Sequence, residues 1–269
     1  MEQLKKYSPL FVFQLAFVVL MYWPTAGAGF VTDEIGWFTT YNQLDWGGLL
    51  HAFNDKSFHF VYHLFGFAFW KLLGFNGNAW MVAVSSLHAL NATLLFVAFN
   101  KLFEAWMPGF AHQAALASSF LFLISPYHTE PLVWYACVHY TVCGGLLLSS
   151  LILLLKYLER QKKASLLYFY VPFGIACFTL ELSFTWPFVF GLIVLFAPND
   201  ERSVTDRIKL TLRIAAPTLG MVILYFAVNK FLRGSFVGHY GASTHLNADP
   251  ILLGSNLAKY AAKLFGSVS

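Results

Sequence analysis

The adjacent carboxylates Asp33 and Glu34 stand in a stretch rich in glycine and aromatic residues, shortly after an apolar run. A carboxylate so placed can act as general base on an acceptor hydroxyl, or help hold a divalent metal beside a phosphate. The pair also fits an ordinary solvated loop, or an Asp capping a helix over 34–44. A second candidate is Pro126-Tyr127-His128-Thr129-Glu130-Pro131, where a His and a Glu interrupt two apolar runs. The prolines forbid a continuous helix, and such a break at membrane depth is tolerated only where the exposed backbone lines a cavity or the interface. A plain turn, with Thr129 or Glu130 capping the next helix, uses the same residues. That helix start offers N–H groups and a dipole suited to an anion.

Glu181 lies between two further apolar runs, in Leu180-Glu181-Leu182-Ser183. An ionisable group there is a functional candidate by default, because its buried charge needs a partner; the tip of an interfacial hairpin is the plainer alternative. Lys230 and Arg233 close a later apolar run. Snorkelling explains them, and cations near carboxylates also suit a lipid phosphate. His59 and His63 share a helix face at i, i+4 but have no third metal ligand in register. His88 and Asn91, about a helical turn apart, read as a hydrogen-bonded pair within one span. Cys137, Cys143 and Cys177 sit in apolar stretches without ligand spacing and read as packing residues.

The elements that position these groups follow from composition. Only 11% of the 269 residues are charged and 58% are hydrophobic, against roughly 25% charged residues in a soluble domain. Too little polar surface is present to cover a water-soluble fold. The net charge of +4 is small and arises from short clusters rather than a basic face, which excludes nucleic acid as the expected partner. Apolar runs near 8–23, 79–100, 112–126, 131–155, 166–180, 182–197 and 211–232 are candidate membrane spans. A further run, 58–73, contains His59, His63 and Lys71. Placing Lys5 and Lys6, Lys101, the run Glu159-Arg160-Gln161-Lys162-Lys163, and Arg202 with Arg207, Lys209 and Arg213 on the cytoplasmic side selects seven spans and makes 58–73 a juxtamembrane helix.

The expected fold is therefore an all-α polytopic transmembrane bundle over 1–232. Its outer loop, 24–78, carries juxtamembrane helices, and 233–269 forms an outer loop and an interfacial helix. The N-terminus is expected to be cytoplasmic, with the first span retained as an anchor; Lys5, Lys6 and Ala26-Gly27-Ala28 also resemble a cleaved secretory signal. This layout gathers Asp33, Glu34, His128, Glu130 and Glu181 on the non-cytoplasmic face.

A first apolar span followed by the Asp33-Glu34 pair, together with three later segments, carries a resemblance. Leu87-His88-Ala89-Leu90-Asn91-Ala92 resembles the HxxNxxxHxLNA region of polytopic GT-C glycosyltransferases related to protein O-mannosyltransferases and transmembrane-TPR mannosyltransferases. The stretch from Leu121 to Trp134, with Pro126-Tyr127-His128-Thr129-Glu130, is similar to that group's LLFxxHPxHTExVxW, and Leu180-Glu181 with Trp186-Pro187 to its KExxxxxP. Leu180 stands where the pattern has Lys, and Ser125 where it has His. The resemblance implies a seven-helix module, with Asp33 as catalytic carboxylate and Glu34 beside it. His128, Glu130 and Glu181 become pocket residues; Arg233, outside the resembling region, is a candidate cation for the lipid phosphate by its place at the end of the last run. The resemblance also implies a polyprenyl-phosphate-linked sugar donor, with a glycan, lipid or protein as acceptor, in a setting such as the bacterial inner membrane. The alternatives are a transporter or flippase-like protein, and a non-catalytic membrane subunit of the same fold.

Overall fold

An apolar run in a membrane can satisfy its backbone N–H and C=O groups only within itself, and so becomes a helix. A computed structural model of the chain describes residues 2–27, 29–31, 33–52, 60–161, 163–197, 202–234, 236 and 249–265. Among them there is no strand. The helices are α1 (Glu2–Tyr22), α2 (Asp33–Gln43), α3 (Trp46–Ala52), α4 (Phe60–Leu73), α5 (Gly77–Trp106), α6 (Ala111–Ile124), α7 (Thr129–Val133), α8 (Val138–Arg160), α9 (Lys163–Cys177), α10 (Trp186–Leu195), α11 (Val204–Arg233) and α12 (Pro250–Phe265). Stretches within α1, α5, α8 with its preceding turn, and α11 are long and apolar enough to cross a membrane. The chain is thus a helical membrane protein. Helices α6, α9 and α10 are shorter, at 14, 15 and 10 residues, against the roughly 20 that a straight crossing takes.

Direction along the bundle can be followed from contacts at its two ends. At one end the Tyr22 hydroxyl meets Thr129 Oγ1 at 3.3 Å, Tyr135 donates to the Gly77 carbonyl at 3.2 Å, and Tyr225 donates to Glu181 at 3.3 Å. At the other, Tyr7 packs on Phe96, Lys101 pairs with Glu159 at 2.5 Å, and Arg207 donates to the Ala197 carbonyl at 3.2 Å. Helices α1, α5, α6, α8, α9, α10 and α11 therefore run alternately up and down. The described members of the basic clusters share one end, and Asp33, His128, Glu130 and Glu181 share the other. Helix α8 is central, with Leu147, Leu151 and Leu154 buried, whereas α1 and α11 present Phe13, Leu20, Leu212 and Ile223 outward.

Helix α4 does not traverse the bundle. Its first full turn places Tyr62 against His139 at the start of α8, ring centres 4.4 Å apart, and the turn after it offers the Gly74 carbonyl to Trp80 in the first turn of α5 at 2.8 Å. Both contacts lie at the carboxylate end, so α4 lies across that end of the bundle. With α2 it covers the projecting first turns of α5 through Phe38, stacked between Trp70 and Trp80 at 4.8 and 4.9 Å. Where such a cap meets water, burial stabilises directly, by about 1.5–3 kcal/mol for a side chain such as Phe38.

Inside the bundle that driving force is absent, and close packing and hydrogen bonds hold helices together instead. Gln14 of α1 donates to Ser119 of α6 at 3.1 Å and accepts from Thr93 of α5 at 2.8 Å. Asn91 does not pair with His88, as its spacing suggested. It reaches across to the Thr141 carbonyl of α8 at 2.7 Å, while His88 stacks on Phe122. Gly144 and Gly145 admit that amide: a Cβ at Gly145 would stand 2.7 Å from Asn91 Oδ1. Gly145→Ala is expected to lower stability by about 1–3 kcal/mol through overpacking. Thermal unfolding in detergent checks this, and Asn91→Ala in the same chain should recover part of the loss because the clash is then removed.

Candidate functional site

The 31–34 segment and the broken helix 129–137 meet at the carboxylate end. Asp33 and Glu34 open α2, where helix N-terminal polarity favours negative charge. Asp33 is thus inside the helix rather than capping it, and its side chain is exposed. Glu34 is 1% exposed and accepts from the backbone N–H of Val31 at 2.8 Å, of Ala136 at 3.3 Å, and of Tyr135. Tyr135 and Ala136 belong to a 3-10 turn, Tyr135–Cys137, that leads into α8. Such a start leaves N–H donors without partners in the chain behind them. The anion that this helix start attracts is the chain's own Glu34.

The pair thereby divides. Glu34 ties the loop before α2 to the entry of α8, while Asp33, one residue before, faces outward. Glu130 is exposed in the first turn of α7. The carboxylates of Glu130, Glu34 and Asp33 all lie close enough to the buried Cys137 thiol to act on it electrostatically. Three of the residues singled out in the sequence are thus brought together from positions about a hundred residues apart.

Beside them stands an aromatic wall that sequence reasoning did not identify. Tyr62 packs on His139 at 4.4 Å, on His63 at 4.5 Å and on Trp37 at 6.1 Å. Burial pushes the Tyr62 phenol well above its ordinary range, and Cys137, Asp33 and Glu34 nearby push the same way. The signal for His139 was its place with Tyr140 in the first turn of α8, polar residues opening an apolar run. His63 is fully buried with Nδ1 3.1 Å from the Tyr41 hydroxyl. His59, its expected partner at i, i+4, lies outside the described residues.

His128 takes a separate position. Its Nδ1 meets the Phe122 carbonyl at 3.0 Å, so Nδ1 carries the proton, and its ring packs on Phe122 and His88. Burial lowers its pKa, against the opposing hydrogen bond to Phe122, which favours the neutral ring with a lone pair at Nε2. Glu181 sits on a 3-10 turn, Glu181–Thr185, between α9 and α10, where Tyr225 donates to it. It lies within electrostatic reach of Cys143, six residues or about 9 Å beyond Cys137. It shares the end of the bundle with Asp33 but not the immediate cluster. Arg233 is the last residue of α11 and its side chain lies outside the described residues. Lys230 turns back to donate to the Gly234 carbonyl at 2.7 Å, closing the helix end. Among the described residues no three His, Cys, Asp or Glu side chains gather as metal ligands.

Glu34 gives the site a pH signature. Burial raises its pKa above the ordinary 4.5, outweighing three backbone hydrogen bonds that lower it. The folded state then holds the proton more tightly than the unfolded state. The stabilisation this confers is complete below the ordinary glutamate range and is lost as pH rises through the raised value. In Tm measured against pH, Glu34→Gln is expected to flatten that decline; an unchanged slope would assign it to other groups.

Comparison of the chain with protein-family models, with curated proteins and with solved structures gives no match.

Proposed function

We propose that this protein transfers a sugar from a polyprenyl-phosphate-linked donor to a hydroxyl-bearing acceptor on the non-cytoplasmic side of the membrane. In this reading α1, α5, α6, α8, α9, α10 and α11 form seven crossings of a GT-C-like module, the short ones completed by the turns beside them. The basic clusters face the cytoplasm. The observation that carries the reading is the separation of the carboxylate pair: Glu34 is fixed by backbone N–H groups, and Asp33 stands exposed within electrostatic reach of Tyr62 and Cys137.

Asp33 accepts the proton of the acceptor hydroxyl as its oxygen attacks the anomeric carbon. The bond from that carbon to the lipid-phosphate oxygen breaks, the phosphate departs with the bonding pair, and the anomeric configuration inverts. Arg233, at the end of α11, is the candidate cation for the departing phosphate, and His128 and Glu181 are candidate pocket groups away from the base.

The test is sugar transfer by the purified protein in proteoliposomes, with radiolabelled polyprenyl-phosphate mannose and glucose as donors and membrane extracts as acceptors. Labelled product with stoichiometric release of lipid phosphate supports the reading. Intact donor throughout supports the second reading, a non-catalytic membrane subunit, which is favoured by the engagement of both Glu34 and Glu181 within the chain.

A further inference from the structure

At the end of the bundle opposite the carboxylates, α5 runs for 30 residues and α8 for 23, whereas α10 stops after 10. The mismatch leaves a cavity of about 1060 Å³ between their ends, at the upper limit of the roughly 300–1,000 Å³ of small-ligand pockets. Its wall is apolar, with Leu155, Leu158, Leu192 and Ile193. Leu192 and Phe196 are each more than half exposed, so the apolar wall continues onto the lipid-facing surface. Trp106, 60% exposed, stands at its rim, where an indole suits the membrane interface.

Among the described residues, the charged residues of the cavity are Lys101, Glu104, Glu159 and Arg202, two of each sign. Lys101 and Glu159 pair at 2.5 Å, and Asn100 donates to Glu104 at 2.6 Å. An anionic head group would find its cations offset by neighbouring carboxylates. A head group carrying both charges meets both: a phosphate beside Lys101 and Arg202, and an ammonium with hydrogen-bond donors beside Glu104 and Glu159. A quaternary ammonium lacks those donors, and Trp106 and Phe196, both more than half exposed, fall short of the aromatic enclosure that favours one.

From this charge complementarity we propose that the cavity binds one zwitterionic aminophospholipid, phosphatidylethanolamine, from the leaflet at that end. Its chains lie on the apolar wall and its head group lies among the four charges. The site is separate from the carboxylate cluster and independent of sugar transfer.

Native mass spectrometry of the protein in mild detergent tests this, after delipidation and return of equimolar phosphatidylethanolamine, phosphatidylglycerol and phosphatidylcholine. One phosphatidylethanolamine per chain is expected, about tenfold over either competitor. Leu192→Trp narrows the apolar wall on which the chains lie and should weaken retention. Glu104→Gln with Glu159→Gln keeps its shape, leaves Lys101 and Arg202 in excess, and should shift the preference to phosphatidylglycerol. Wild-type protein that retains no lipid, prefers phosphatidylglycerol or phosphatidylcholine, or carries a second polypeptide on this face in place of lipid overturns the proposal, as does an unshifted preference in the double variant.

Discussion

Asp33→Asn is expected to reduce sugar transfer by about 10²–10⁴-fold, the usual contribution of a positioned general base, while leaving the protein folded. Asparagine keeps the size and the hydrogen-bonding oxygen of the side chain but cannot accept the acceptor's proton. Folding should be little affected because the Asp33 side chain is exposed and removing its charge from the start of α2 costs only about 0.3–1 kcal/mol. Nearly equal Tm with lost transfer is the expected pair of readings. Transfer at the wild-type rate would remove Asp33 from the chemistry and leave Glu130 as the other exposed carboxylate of the cluster.

Glu34→Ala should behave in the opposite manner. It leaves the N–H groups of Val31, Tyr135 and Ala136 without their acceptor in a site where the side chain itself is 1% exposed. Unsatisfied buried donors cost about 1–3 kcal/mol each, with water recovering part of the loss, so a net destabilisation of about 3–5 kcal/mol is expected. Glu34→Gln keeps one acceptor oxygen and should lose about 1–2 kcal/mol. The effect should be local at first: hydrogen exchange is expected to rise in α2 and at 134–138 before the rest of the bundle opens, because Glu34 is what joins the two segments. If Glu34→Ala instead unfolds at the wild-type temperature and only transfer is lost, the roles of the two carboxylates are reversed.

The helical architecture was legible because composition and apolar run length dominate in a membrane. The spans expected at 79–100 and 211–232 fall within α5 and α11, and 58–73 contains α4, lying across the end of the bundle. The run expected over 131–155 is instead α7, a 3-10 turn and α8, because the backbone turns extended at Trp134 and Glu34 accepts from the N–H groups of Tyr135 and Ala136 where hydropathy is continuous. Helices α6 and α9, at 14 and 15 residues, match the length of the runs expected at 112–126 and 166–180, whereas α10, at 10, is shorter than the run at 182–197 because its first residues belong to the 3-10 turn Glu181–Thr185. Asp33, Glu34 and Glu130 could be named from residue type alone. Which of the pair is buried could not, because that depends on Tyr135 and Ala136, about a hundred residues away. The Tyr62–His139 wall was hidden for the same reason: each residue reads locally as part of an amphipathic helix start. Asn91 was assigned to its neighbour His88, whereas its partner is the Thr141 carbonyl on another helix.

Everything assigned to Asp33 requires that the carboxylate cluster and the basic clusters face opposite sides of one membrane. Cysteines introduced one at a time as Asp33→Cys and Lys101→Cys measure this with a membrane-impermeant maleimide, and background labelling should be low because Cys137, Cys143 and Cys177 are all buried. The expected result is labelling at position 33 in intact cells stripped of any outer envelope, and at position 101 only after permeabilisation. Labelling of both positions from the same side, or of position 101 alone from outside, would contradict the bundle's orientation and the site built on it.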